Sequence, residues 1–209
     1  MATTYSRQHR RREAAIDEAL AHAVDIMTVE GVGALSISEM ARRMGIRPPS
    51  LYKYFPSLHA VYDELFARGV RAQSAAVLPV LAGTGPGPQR LAAAAVAIVR
   101  WSVEHPALAQ LLFARPVPGF EPSPESYAPS VEAMAITRDE FAAAIEQGYL
   151  RSDTDLDEIV ELYTVVISGV VSQQLANEPG VSYELGRFSA RTERVVEIFF
   201  AAYESRRSS

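Results

Sequence analysis

Residues 36–55 read SISEMARRMGIRPPSLYKYF, and they predict two short helices joined by a tight turn. Ser36 stands where its hydroxyl caps the amide of Glu39 while the Glu39 carboxylate reaches back to the Ser36 amide, with Leu35 and Met40 flanking the pair as a hydrophobic staple. Ile37, Met40, Ala41 and Met44 recur at helical spacing and face inward, which leaves Ser38, Arg42 and Arg43 nearer the outer surface. Gly45 ends the first helix where a left-handed residue is wanted. Pro48 and Pro49 fit only the first turn of the next helix, because their missing amides fall among donors that lack intrahelical partners anyway. Arg47, biased out of the helical region by the proline after it, takes the N-cap position.

The second helix is polar where a structural helix would be apolar. Ser50, Tyr52, Lys53 and Tyr54 are presented outward, and Leu51 and Phe55 hold the helix down. Such a helix fits the major groove of B-form DNA, where N-terminal residues meet base edges and hydroxyl or ammonium groups hold phosphates. Pro48 and Pro49 offer apolar edges suited to thymine methyls, and Ser38 on the preceding helix is a further groove contact. The alternative for Tyr52 and Tyr54 is partial burial as anchors, and Tyr52 beside Leu51 can be both.

The combination of Leu35-Ser36, Met40-Ala41, Gly45-Ile46 and Ser50-Leu51-Tyr52-Lys53-Tyr54-Phe55 leading into Pro56-Ser57 resembles the DNA-binding domain of the TetR-type transcriptional regulators. The resemblance covers the N-terminal third. It implies that Tyr52 and Tyr54 hold phosphates, Tyr52 also stacking on a sugar or thymine methyl, that Lys53 reaches a phosphate or guanine edge, and that Ser50 meets a base or phosphate. Arg47 departs from the pattern, which has a small capping residue there, so Arg47 is free to contact DNA instead.

Composition limits the remaining possibilities. The chain has 209 residues, 48% hydrophobic and 22% charged, in the ordinary range for a globular protein. A head of about 50 residues buries too little surface to stand alone and should lean on the helix that follows. No unbroken apolar run approaches the roughly 20 residues of a membrane span, and no secretory h-region opens the chain, so cytoplasm is expected and no membrane partner. The absence of cysteine excludes disulfides, thiolate metal sites and a thiol nucleophile. The four histidines, His9, His22, His59 and His105, are scattered without metal spacing, and no glycine-rich phosphate loop follows a strand. Neither an enzyme nor a cofactor is expected.

A net charge of −5 and a pI near 5.4 suit a nucleic-acid binder only once the charge is divided along the chain. Residues 1–56 hold eight basic against six acidic side chains, and the remainder twelve against nineteen. An acidic body repels DNA and leaves the basic head as the attractive face.

Around this head the chain reads as helix throughout. Residues 1–6 are expected to be mobile and a first helix to run over 8–30, with Arg7, Arg10 and Arg11 able to reach a phosphate or minor groove. Ser57 reads as the N-cap of a long helix toward Leu81 that joins head to body as one rod. Gly and Pro over 83–88 mark a linker, followed by helices over 89–104, 106–113 and, capped by Ser123, 124–147. Two last helices, over about 155–176 and 182–205, carry more apolar surface than one small body covers, which predicts a homodimer through a two-fold bundle. The C-terminal pair is also the dimer interface that the family resemblance implies. The expected fold is all-α: a helix-turn-helix DNA-binding domain over 1–56 and a helical effector-binding and dimerisation domain over 57–209.

Aromatic side chains on the body helices, Trp101, Phe113, Phe120, Tyr127 and Tyr163, together with His105, are candidates to line a pocket for a hydrophobic or aromatic small-molecule effector; packing in the core is the alternative for each. The stretch from Trp101 through His105-Pro106 to Gly119 also resembles the C-terminal domain of a regulator subgroup named for Trp, His and Gly. The expectation is therefore a ligand-responsive repressor that binds a palindromic DNA operator as a homodimer. The rival is a helical small-molecule binding or scaffold protein that does not read DNA.

Overall fold

The computed structural model describes residues 2–205, with side chains from Arg7 onward. Among them are nine α-helices: α1 (Ala2–Glu30), α2 (Ile37–Arg43), α3 (Pro48–Leu51), α4 (Leu58–Gly83), α5 (Pro88–Glu104), α6 (Pro106–Phe113), α7 (Pro124–Glu146), α8 (Leu156–Asn177) and α9 (Thr192–Ala201). The described residues hold one isolated antiparallel bridge, Leu150 to Glu204, and no strand. The fold is all-α, as expected.

Local chemistry sets most of the helix ends. Ser36 accepts from the Glu39 amide at 3.2 Å, Ser57 from the Ala60 amide at 3.1 Å, and Ser123 from the Ser126 amide at 3.2 Å. Asp155 accepts from the amides of Asp157 and Glu158 at 2.9 and 3.1 Å. Gly45 turns the chain at a φ of 67°, a left-handed value that a side chain disfavours. Helix α1 begins at Ala2, six residues before the expected start, with Met1 outside the described residues. Nothing in the polar segment 2–12 breaks a helix, and His9 and Glu13, 3.0 Å apart one turn on, favour continuing it.

Two expectations are corrected. The capping box is half made, because the Glu39 carboxylate is taken by Arg42 and Arg43 rather than by the Ser36 amide. A helix over 182–205 does not form as expected; α9 covers only Thr192–Ala201, after a short 3-10 turn at Ser189–Arg191. The buried Gln174 of α8 explains the loss. Its Oε1 accepts the amides of Phe188 and Ser189 at 3.2 and 3.0 Å, and Glu178 accepts the Arg187 amide at 2.6 Å. These side chains satisfy backbone donors that a helix would otherwise pair, and Gly186 packs so tightly there that a Cβ would lie 2.3 Å from Ser189 Oγ. Leu185, within the stretch expected to be helical, is exposed.

Two cores organise the chain. The first gathers Leu20, Met27, Met40 and Leu51 with Val61, Tyr62, Leu65, Phe66 and Val70 of α4, and with Ala107 and Leu111 of α6 and Phe120. The packing of the head thus continues past residue 56, and Tyr62 fastens it by donating to the Val32 carbonyl at 2.6 Å. The second core joins Leu91, Val99, Phe141, Ile159, Tyr163, Ile167, Val196 and Phe200 from α5, α7, α8 and α9. By length and a mean hydropathy of 1.4, α8 is apolar enough to cross a membrane. Its apolar residues form no long unbroken run, because Glu161, Thr164, Ser168, Gly169 and Ser172 interrupt them. One stripe of α8 packs into the second core, while Leu162 and Val165 face outward.

Candidate nucleic-acid interface and body cavities

The recognition segment rests on two anchors. Leu51 has no exposed surface and Phe55 is buried, both within the first core. Between them the expected helix gives way after Leu51 to a hydrogen-bonded turn over 52–54, in which Tyr54 and Phe55 donate to the Leu51 carbonyl at 2.9 and 3.1 Å. With the anchors fixed inward, Tyr52 is left 52% exposed, and Arg47, Pro49 and Lys53 are exposed with it. Ser38 is exposed on α2, Pro48 and Ser50 are half-buried, and half-buried Tyr54 packs against the first core. Tyr52 is therefore the outward phenol and Tyr54 the partial anchor.

The charges on this head are unequally available. Arg42 makes a bidentate pair with Glu39 at 2.6 and 2.7 Å, while Arg43 bridges Glu39 and Glu30, each at 2.8 Å. Hydrogen bonds from Arg42, then Arg43, hold the Glu39 carboxyl at about 2. Arg47 and Lys53 are in no ion pair among the described residues. Composition alone does not separate these two kinds of cation, since both count as one positive charge.

Asp63 links this head to the body. From the second turn of α4 it accepts the Ser123 amide at 2.7 Å and the hydroxyls of Ser123 and Ser126 at 2.8 Å each, tying down the start of α7. Burial pushes its carboxyl up, but the three hydrogen bonds outweigh burial and hold it below the ordinary value. Sequence reasoning passed over Asp63, since no spacing rule connects positions 60 residues apart.

The six pocket candidates divide. Phe113, Tyr127 and Tyr163 line one cavity of about 300 Å³ between α4, α6, α7 and α8, beside Phe66 and Gln73 of α4. Trp101 lies on a more open groove of about 690 Å³ between α4, α5 and α9, whose margin carries Glu104, Glu193, Glu197 and Glu204. His105 stacks on Trp101 with ring centres 4.9 Å apart and donates from Nδ1 to the Trp101 carbonyl at 3.0 Å, closing the junction of α5 and α6. Phe120 is buried in the first core, its ring 5.6 Å from that of Tyr62. Tyr163 has its hydroxyl committed to the Leu91 carbonyl at 2.6 Å, and burial raises its pKa above the ordinary phenol value.

Known proteins share both halves of this arrangement. Residues 19–65 match the bacterial regulatory proteins of the tetR family, and residues 91–199 match the tetracyclin repressor-like C-terminal domain. The HTH-type transcriptional regulator YobS of Bacillus subtilis is 40% identical over 48 residues, which are 23% of this chain and about a quarter, 25%, of that protein's length. The ketosteroid transcriptional regulator KstR2 of Mycobacterium tuberculosis is similar in fold at a TM-score of 0.67 and 20% identity, covering 92% of this chain and 96% of that one. FadR of Bacillus subtilis, in complex with stearoyl-CoA, is similar at a TM-score of 0.69 and 15% identity over 87% of this chain and 96% of its own.

Proposed function

The chain belongs to the TetR family of bacterial transcriptional regulators, and we propose that it is a ligand-responsive repressor that binds a palindromic DNA operator as a homodimer and releases it when a small hydrophobic effector enters the body. The observation that carries the DNA reading is the outward set Arg47, Pro49, Tyr52 and Lys53 above fully buried Leu51. A phenol, an ammonium and a guanidinium without ion-pair partners are donors suited to phosphates and base edges. Ser38 and Ser50 add hydroxyls, Pro48 and Pro49 apolar edges for thymine methyls, and Tyr54 a second phenol near the backbone. Dimerisation through α8 and α9 is supported by Val165 at 65% and Ile198 at 58% exposure, apolar side chains that a second copy would cover.

Effector control is supported by the cavity lined by Phe113, Tyr127 and Tyr163, because Phe66 and Val70 of α4 belong both to its wall and to the core of the head. A ligand that fits the cavity in only one setting of α4 shifts the population of head orientations. FadR is in complex with stearoyl-CoA, whose acyl chain is apolar, as most of the cavity wall is.

The test is selection of bound fragments from sheared genomic DNA of the source organism at physiological salt, using the wild type and the Tyr52→Ala, Lys53→Ala double variant. Enrichment of one inverted repeat by the wild type alone is expected. Equal enrichment by a folded double variant, or none by a folded dimeric wild type without added ligand, would contradict the reading.

A further inference from the structure

We propose that the cavity beneath Phe66 takes a small, uncharged aromatic ligand bearing one carbonyl or ether oxygen, and that the side-chain amide of Gln73 is the donor that fixes it. This rests on the reading of the body as an effector domain and names the chemistry of the effector.

Gln73 Nε2 is buried and has no hydrogen-bond partner, one of two such side-chain atoms among the described residues, and Gln73 lines the cavity. A buried N–H without a partner is costly and rare in folded proteins, and because Gln73 lines the cavity, a small turn of its side-chain amide would present that donor to an acceptor arriving from outside. Three of the neighbouring donors are already used, and the hydroxyls of Ser130 and Ser168 border the cavity beside Gln73. Tyr163 donates to the Leu91 carbonyl, Thr137 to the Ala133 carbonyl at 3.1 Å and Thr164 to the Val160 carbonyl at 2.9 Å. The walls contain no charged side chain, so a buried carboxylate or phosphate would find no counter-charge there, and desolvating it would cost more than the amide returns. The rest of the ligand is apolar and flat by the same reasoning. Phe66 and Tyr127 are stacked at one side with centres 6.2 Å apart, and Phe113 faces the same space. About 300 Å³ is at the small end of ligand pockets, which favours one or two rings over a long acyl chain.

The test compares three probes of similar shape by calorimetry on the full chain: benzophenone, its hydrocarbon isostere 1,1-diphenylethylene, and diphenylacetate. One neutral hydrogen bond is about a tenfold effect, so benzophenone is expected to bind about tenfold more tightly than the hydrocarbon, and diphenylacetate more weakly than either. In Gln73→Met and, as a second variant of similar bulk, Gln73→Leu, the ketone and the hydrocarbon should bind alike, while the unliganded variants melt no lower than the wild type. No preference in the wild type, a preference that survives both substitutions, tight diphenylacetate binding, or no binding of any probe would each overturn the proposal. Release of a selected operator fragment separates this from the broader reading. Binding that depends on Gln73 without release leaves the site standing and removes effector control; release by a ligand indifferent to Gln73 does the reverse.

Discussion

A single carboxylate decides how much positive charge the head offers. Glu39 holds Arg42 and Arg43 together, and Lys53 and Arg47 remain for an anion. Replacing Lys53 by Ala should weaken binding to all DNA sequences and reduce the slope of log K against log salt by about 0.9, the loss of one phosphate contact; titration at several salt concentrations measures it. Glu39 itself makes stability depend on acid. Its folded value of about 2 lies below the ordinary 4.5, so its contribution is complete above pH 4.5 and is lost as pH falls through 2. Glu39→Gln should flatten the decline of the urea midpoint over that window, and a decline identical to that of the wild type would contradict the assignment. The same variant frees the Arg42 guanidinium, while Arg43 keeps its pair with Glu30, and should steepen the salt dependence of DNA binding. Beneath these polar contacts, Leu51→Ala should cost about 2–5 kcal/mol of stability, because Leu51 is fully enclosed and its removal leaves a cavity.

Helices were legible in the sequence wherever a local cap or breaker marks them. Ser36, Ser57 and Ser123 all cap as their positions predict, Asp155 caps α8, and Pro106 opens α6 directly after His105. Legibility failed where a side chain from another element took over the backbone. Gln174 claims the amides of residues 188 and 189 from 14 and 15 positions away, and an apolar pattern that reads as helix becomes a turn. The clamp of Asp63 on Ser123 and Ser126 was equally invisible to spacing, although it fixes the wall of the cavity that holds Tyr127. Asp63→Ala leaves three part-buried donors without their acceptor and should cost about 1–3 kcal/mol, read from denaturant unfolding. Hydrogen exchange at the start of α7 should quicken more than elsewhere.

At the scale of the whole molecule, the sequence placed the reading head more fully than the effector site. The outward face of the head follows from neighbouring residues on one short helix and the turn after it, and each of Arg47, Pro49, Tyr52 and Lys53 is exposed. The cavity is assembled from helices far apart in the chain, so residue type alone could not separate Phe113, Tyr127 and Tyr163, which line it, from Phe120, which packs into the head. Gln73, whose amide in that wall is left unpartnered, carries no sequence signal. Val165→Glu with Ile198→Glu should yield a monomer in sedimentation while the helical circular dichroism is retained, and its affinity for one half-site should survive as that for the inverted repeat collapses. Phe66 and Val70 have a consequence for how such a protein can change over generations. Because they serve the head's packing and the cavity wall at once, substitutions there that admit a new inducer also alter how firmly the reading head is built. If the cavity serves the proposed effector, new inducer specificity is therefore more accessible at Met134 or Ser168, on the opposite wall, and the α4 side of the cavity is the part that should drift least.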